Sequence, residues 1–107
     1  MANPWTGEAE LFVDGERRVL KLTLGALAAL EAELKSDTLI ALVSRFEDGS
    51  FTTRDVVALL VAGLRGGGWN VTPKDLLECD IDGGPIEATR VAALLLGRAF
   101  SFPERAE

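Results

Sequence analysis

The stretch Glu8-Ala9-Glu10-Leu11-Phe12-Val13-Asp14-Gly15-Glu16-Arg17-Arg18-Val19-Leu20-Lys21-Leu22 decides the fold. Asp14-Gly15 stands between two strand-like runs, Glu8 to Val13 and Glu16 to Leu22, and Asp-Gly is the strongest short signal for a two-residue type I′ hairpin. Closing the chain on that turn sets Val13 opposite Glu16, Leu11 opposite Arg18 and Ala9 opposite Leu20. Ala9, Leu11, Val13, Leu20 and Leu22 then share one face. The other face pairs Glu8 with Lys21, Glu10 with Val19, and Phe12 with Arg17. One side is apolar and the other mostly charged, as in a half-buried antiparallel pair. A lone hairpin is marginal in water, so its apolar face must rest on something.

Helices downstream supply that support. Thr23 is read as an N-cap, with Leu24, Leu27, Leu30 and Leu34 following at helical spacing. Gly25 costs this helix up to about 1 kcal/mol relative to Ala, which points to a close backbone approach to the hairpin. Lys35-Ser36-Asp37 breaks the pattern, and a short second helix puts Leu39, Leu42, Val43 and Phe46 on one stripe. Glu47 to Ser50 is a polar turn. Thr52 or Thr53 caps a third helix with Asp55 in its first turn, where a carboxylate suits the helix dipole. Val56, Leu59, Leu60 and Leu64, widened by Val57 and Val61, make that helix central and buried on more than one side. It stops at Gly66-Gly67-Gly68. Thr72-Pro73-Lys74-Asp75 starts a short fourth helix ending near Cys79. Asp80 to Gly84 is a loop, and Pro85 opens a last helix with Val91, Ala92, Leu95 and Ala99 on one face.

The expected fold is therefore α+β: an N-terminal antiparallel β-hairpin followed by about five α-helices packed as a small bundle. One domain is expected over 1–107, with an arm at 1–7, the hairpin at 8–22, a helical region at 23–102 and a polar tail at 103–107. The 107 residues fit one domain, and 48% hydrophobic against 26% charged residues excludes general disorder. With Lys+Arg 11 against Asp+Glu 17, the net charge is −6. That surface repels phosphate backbones and lacks a polybasic membrane patch, so neither nucleic acid nor membrane is the expected partner. The N-terminus has no basic and apolar leader pattern, and the longest apolar runs, 56–63 and 91–97, fall far short of the ~20 residues a bilayer requires. A cytoplasmic location is expected, in keeping with a single cysteine.

Composition also removes much chemistry. There is no histidine and one cysteine, hence no imidazole for acid–base work and no intrachain disulfide. Gly66-Gly67-Gly68 follows a helix and lacks the strand, helix and Gly-Lys-Ser/Thr ending of a phosphate loop, so it is read as a helix cap. Asp80 and Asp82 would begin a calcium loop whose last ligand position is Val91, so a turn is the better reading. Cys79 has no neighbouring base in sequence and reads as an inert thiol. Glu31 and Glu33 lie on different helix faces. No catalytic residue, cofactor or metal site is expected, and the chain is not read as an enzyme.

Aromatic and apolar residues remain as candidates for contact. Trp69 follows the glycine run, where it either packs on the core, the default, or meets a partner. Trp5 divides between the same two readings. Phe12 on the charged hairpin face is a contact residue or packs on the stem of Arg17. In the last helix Leu94-Leu95-Leu96 offers more apolar surface than one stripe needs. Leu96, Phe100 and Phe102 are therefore candidates for contact with a partner or with another copy, against the simpler reading of burial.

Four stretches carry a family resemblance. They are Leu22-Thr23-Leu24-Gly25-Ala26-Leu27-Ala28-Ala29-Leu30-Glu31 after the hairpin, Leu64-Arg65-Gly66-Gly67-Gly68 at a helix end, Ala2-Asn3-Pro4-Trp5, and Asp82-Gly83-Gly84-Pro85. In that order and spacing the chain resembles small tail-module proteins of gene transfer agents, the phage-like particles of α-proteobacteria. The resemblance implies a tail assembly chaperone of the siphophage type, whose partners are the tape-measure protein and the tail tube protein. A structural tail tube component is the alternative that the same family implies, and a small regulatory or protein-binding domain is a third. Tube proteins resembling those of long-tailed phages are dominated by β-sheet, so a helical majority weighs toward the chaperone. Self-association stays open under each reading.

Overall fold

The computed structural model describes residues 8–34 and 38–100. Strands β1 (Glu8–Val13) and β2 (Glu16–Lys21) pair antiparallel, with Val13 opposite Glu16, Leu11 opposite Arg18 and Ala9 opposite Leu20. This is the register that the turn dictates. Asp14 and Gly15 take φ of 51° and 79°, the two left-handed positions of a type I′ turn. Ala9, Leu11, Val13 and Leu20 are each at most 2% exposed, so the apolar face is fully covered. Leu22 lies just beyond β2 and is half-buried.

Five helices follow: α1 (Leu24–Leu34), α2 (Leu39–Asp48), α3 (Thr53–Gly66), α4 (Pro73–Leu77) and α5 (Gly84–Ala99). A Cα radius of gyration of 13.0 Å is that of one compact domain of about 100 residues. α3 is the hub, packing against β2, α1, α4 and α5, while α5 also packs on β1. Its start is a full capping box. The Thr52 hydroxyl accepts from the Asp55 N–H at 3.1 Å, and the Asp55 carboxylate accepts from the Thr52 N–H at 2.9 Å. α4 begins in the expected way, with the Thr72 hydroxyl accepting from the Asp75 N–H.

Two expectations about α1 need correction. Leu24 does not join the buried stripe; it is 86% exposed, and Ala26 and Leu30 are the buried residues. At 100° per residue Leu24 sits about 120° round the helix from Leu30, outside the face turned to α3. Gly25 makes no close approach either. A Cβ there would meet nothing nearer than the Thr23 hydroxyl at 3.9 Å.

The close approach lies instead at the other end of α3. A Cβ on Gly66 would fall 1.9 Å from the Lys21 carbonyl oxygen, and one on Gly67 would fall 1.9 Å from that of Val19. Gly63 is nearly as tight, with Leu95 Cδ2 at 2.5 Å and Leu20 Cβ at 3.0 Å. Val19 and Lys21 pair with Glu10 and Glu8. In this register their carbonyls point away from β1, along the outer edge of β2. The glycines let the α3 backbone close that edge, a Cα hydrogen facing each carbonyl in the manner of a weak C–H···O contact. Their role is therefore more than helix capping.

β1 has its outer edge covered as well. The segment 80–84, expected as a plain loop, pairs with the hairpin through an isolated bridge between Ile81 and Val13. Asp14 N–H donates to the Asp80 carbonyl at 2.7 Å, Asp80 N–H to the Asp14 carboxylate at 2.8 Å, and Asp82 N–H to the Phe12 carbonyl at 3.1 Å. Further along, the Arg98 guanidinium donates to the Glu8 carbonyl. No helix among the described residues is long and apolar enough to cross a membrane.

Candidate functional site

Two apolar grooves run along the outward side of α3. The first, about 460 Å³, lies between α1 and α3, with Ala29, Leu34, Val57, Ala58 and Val61 in its walls and the charged Glu33, Arg54 and Arg65 beside them. The second, about 420 Å³, lies between α3, α4 and the start of α5, lined by Phe51, Val56, Leu76, Leu77, Ile81 and Ala88 among others. Val57 faces both, so one ridge of α3 is their common wall. The central helix that the sequence indicates is thus buried toward the hairpin and α5 but half-open on this side. Leu77 of α4 is 66% exposed at the second groove.

α2 sits at the N-terminal end of α3. The Arg45 guanidinium grips the Asp55 carboxylate with two bonds, Nε to Oδ2 at 2.8 Å and Nη2 to Oδ1 at 2.9 Å. Beside it Phe46 stacks on Phe51, ring centroids 4.6 Å apart and nearly parallel. Burial pushes the Asp55 carboxyl up, but the Arg45 fork and the Thr52 N–H outweigh it and hold it below the ordinary aspartate value. Asp55 is thus committed to structure: it caps α3 and anchors α2. A carboxylate so engaged is a poor general base.

Cys79 is half-buried, and its thiol donates to the Asp75 carbonyl at 3.2 Å. Burial, then the negative charges of Asp14, Asp75 and Glu78, push its pKa up, which keeps it a protonated thiol at neutral pH. Among the described residues no group of three or more Cys, Asp and Glu side chains is placed to hold a metal ion.

The contact candidates scatter rather than converge. Leu96 is 3% exposed and belongs to the core, while Phe100 is half-buried against it, so the last helix spends its extra apolar surface inward. Trp69 is half-buried on the core, and the Arg18 guanidinium lies 4.0 Å from its ring centroid. Arg18 lies on the inward side of the hairpin: the ring covers its flat face and Glu16 accepts from its Nη2 at 3.0 Å, while its buried Nε meets no hydrogen-bond partner among the described residues. Phe12 is 41% exposed on the outer hairpin face. Phe102, like Trp5 in the N-terminal arm, lies outside the described residues.

Sequence reasoning missed the Arg45–Asp55 clamp and the Gly63, Gly66, Gly67 seam. The seam had a signal, since glycines three and four apart share a helix face and clear it for a neighbouring backbone. The clamp had none, because any arginine of the charged surface is an equal candidate for Asp55 until the helices are placed.

Comparison with protein families matches residues 6–102 to the family described as "Phage tail tube protein, GTA-gp10". The match takes in nearly all of the chain, and the chain belongs to this family of phage and gene transfer agent tail proteins. Neither the curated proteins nor the solved structures contain a match.

Proposed function

We propose that this member of the GTA-gp10 family is a non-enzymatic component of the tail of a phage-like particle and acts through protein–protein contact. The first reading is a structural component of the tail tube, contacting other copies of itself and neighbouring tail proteins. The observation that carries it is the family match from residue 6 to 102, whose description names the tail tube. The net charge of −6 suits a subunit that must stay dissolved before it assembles.

A second reading, tail assembly chaperone for the tape-measure protein, is favoured by one specific observation. Among the described residues the fold is a two-stranded hairpin with five helices, whereas tube subunits like those of long-tailed phages are expected to be built mainly of sheet. Quantitative mass spectrometry of purified particles separates the two. A tube component stays in the finished particle in many copies. A chaperone is absent from it and instead keeps co-expressed tape-measure protein soluble in a complex. Absence from particles together with no effect on the tape-measure protein would overturn both readings.

A further inference from the structure

The two grooves beside α3 differ in their charges. Glu33, Arg54 and Arg65 flank the first with both signs, so it singles out no kind of partner. The second carries one charged residue in its described lining, Asp80. Its deep side is apolar, with Val56, Leu60, Leu76 and Ala88 all buried. On its lips two large apolar side chains stand in water, Leu77 at 66% exposure and Ile86 at 84%. Leu77 lines the groove directly, and Ile86 sits about 60° round α5 from Thr89, which also lines it. Two such side chains at the mouth of an apolar groove mark a contact surface.

The carboxylates round this groove are many and the cations few. Asp80 lines it, and Asp14, Asp75 and Glu78 lie near Cys79, another lining residue. Asp82 is held beside them, its N–H on the Phe12 carbonyl. Lys74 is the one cation of α4, and Arg90 of α5 is spent on Glu87. Backbone groups here are spent too: Asp80 N–H and carbonyl on Asp14, and the Ile81 carbonyl on the Gly84 N–H. With α3, α4 and α5 as the other walls, the groove offers side chains and no open ladder of N–H and carbonyl groups. An occupant must therefore satisfy its own backbone, as a helix does.

We propose that the second groove is a docking site for a basic amphipathic helix of another protein. The apolar stripe of that helix lies between Leu77 and Ile86, and its lysines or arginines face the acidic rim. Anchors spaced i, i+3 or i+4, and i+7 suit a groove between helices. Charge complementarity names the partner and weighs against a second copy. A chain of net charge −6 repels its own kind, and no helix among the described residues carries more than two cations. The site deepens the protein–protein reading above and rests on it, whichever tail role holds.

The probe is a stapled peptide helix with leucines at i, i+4 and i+7 and lysines on both flanks, set against a twin with glutamates for the lysines. The full chain, isotope-labelled for NMR, is titrated with each. Shifts should gather on residues about the groove, Leu77, Ile81, Ile86 and Ala88 among them. The lysine helix should bind at least about tenfold more tightly than its twin. L77S combined with I86S should weaken that binding about tenfold and leave the melting temperature in place, since both side chains are exposed. E78K combined with D80K should erase the preference between the twins. No binding, equal affinity for the two helices, shifts that gather elsewhere, or binding that ignores L77S and I86S overturns the site. So does dimerisation of the free chain, seen by sedimentation and abolished by L77S with I86S, because the occupant is then a second copy. Mass spectrometry of particles keeps the two claims apart. A chain found in the tail, or on the tape-measure protein, whose groove ignores the lysine helix retains its tail role and loses this site.

Discussion

The two ends of α3 are held in opposite ways. At its C-terminal end, Gly66 and Gly67 bring backbone against backbone on the edge of β2, with no space for even a methyl group. At its N-terminal end the neighbour is α2, held through side chains that include a buried leucine, an ion pair and a ring stack. Backbone contacts are stiff and cannot relax, whereas side-chain contacts can be remade in another geometry or by another chain. The domain thus joins a rigid seam to an adjustable one through a single helix of fourteen residues.

The sharpest way to break this contrast is to load the rigid seam. G67A or G66A places a Cβ 1.9 Å from a carbonyl oxygen, so strand or helix must move. A loss of about 3 kcal/mol or more is expected by urea unfolding, the upper range for overpacking. A loss below about 1 kcal/mol would show that this end is adjustable too.

Next comes a matched pair in the core, Leu42 and Leu59, both 0% exposed. L59A should cost about 2–5 kcal/mol of global stability. L42A should cost less globally, because Leu42 is the one buried residue of a peripheral helix while Leu59 belongs to the central one. It should instead speed hydrogen exchange within α2. Equal global losses would erase the distinction between the two ends.

The ion pair gives a smaller and pH-dependent effect. R45M keeps the aliphatic stem and removes the charge from beside Asp55, at an expected cost of about 1–2 kcal/mol at neutral pH. The Asp55 carboxyl is held below its ordinary value of 3.8, so its contribution is fully present above that value. It is lost as the pH falls through the lower folded-state value. The difference in stability between R45M and the parent, followed by chemical denaturation, should therefore shrink only below about pH 4. A difference that is constant from pH 7 to pH 2 would mean that Arg45 acts through packing alone.

G25A is the smallest change and has the opposite sign. Its Cβ enters open space in the first turn of α1, so stability should rise by up to about 1 kcal/mol, read as a melting temperature a few degrees higher. A decrease would reveal a close contact at Gly25 of the kind found at Gly66.

The hairpin, its register, the cap at Thr72 and, to within one residue, the cap at Thr52 were legible in the sequence because each rests on residues within a few positions of one another. A type I′ turn fixes which residues face each other, and a Thr hydroxyl three residues before a free N–H finds it without help from the rest of the chain. The breadth of the α3 stripe likewise marked it as central. Reading failed where the outcome depended on a neighbour distant in sequence. Leu24 continues the heptad-like spacing of α1 yet points to solvent, since which face meets α3 is settled by the packing. Ile81 carries no strand signal of its own and becomes one rung of a bridge because Val13 lies beside it. Leu96, for which burial was the simpler reading, is buried, and Phe100 just past α5 is half-buried, because that helix lies against both α3 and β1.

By itself, then, the sequence determined the elements: a hairpin in a defined register, about five helices with some of their caps, an acidic composition without imidazole, and a likeness to tail-module proteins. Only the tertiary structure decided what the glycines are for and which arginine Asp55 meets. The physical reason is range. Turn geometry, capping and periodicity act over a few residues and are written into local order. The seam of Gly66 and Gly67 on Val19 and Lys21 joins positions more than forty residues apart, and nothing in either segment names the other until the chain has packed.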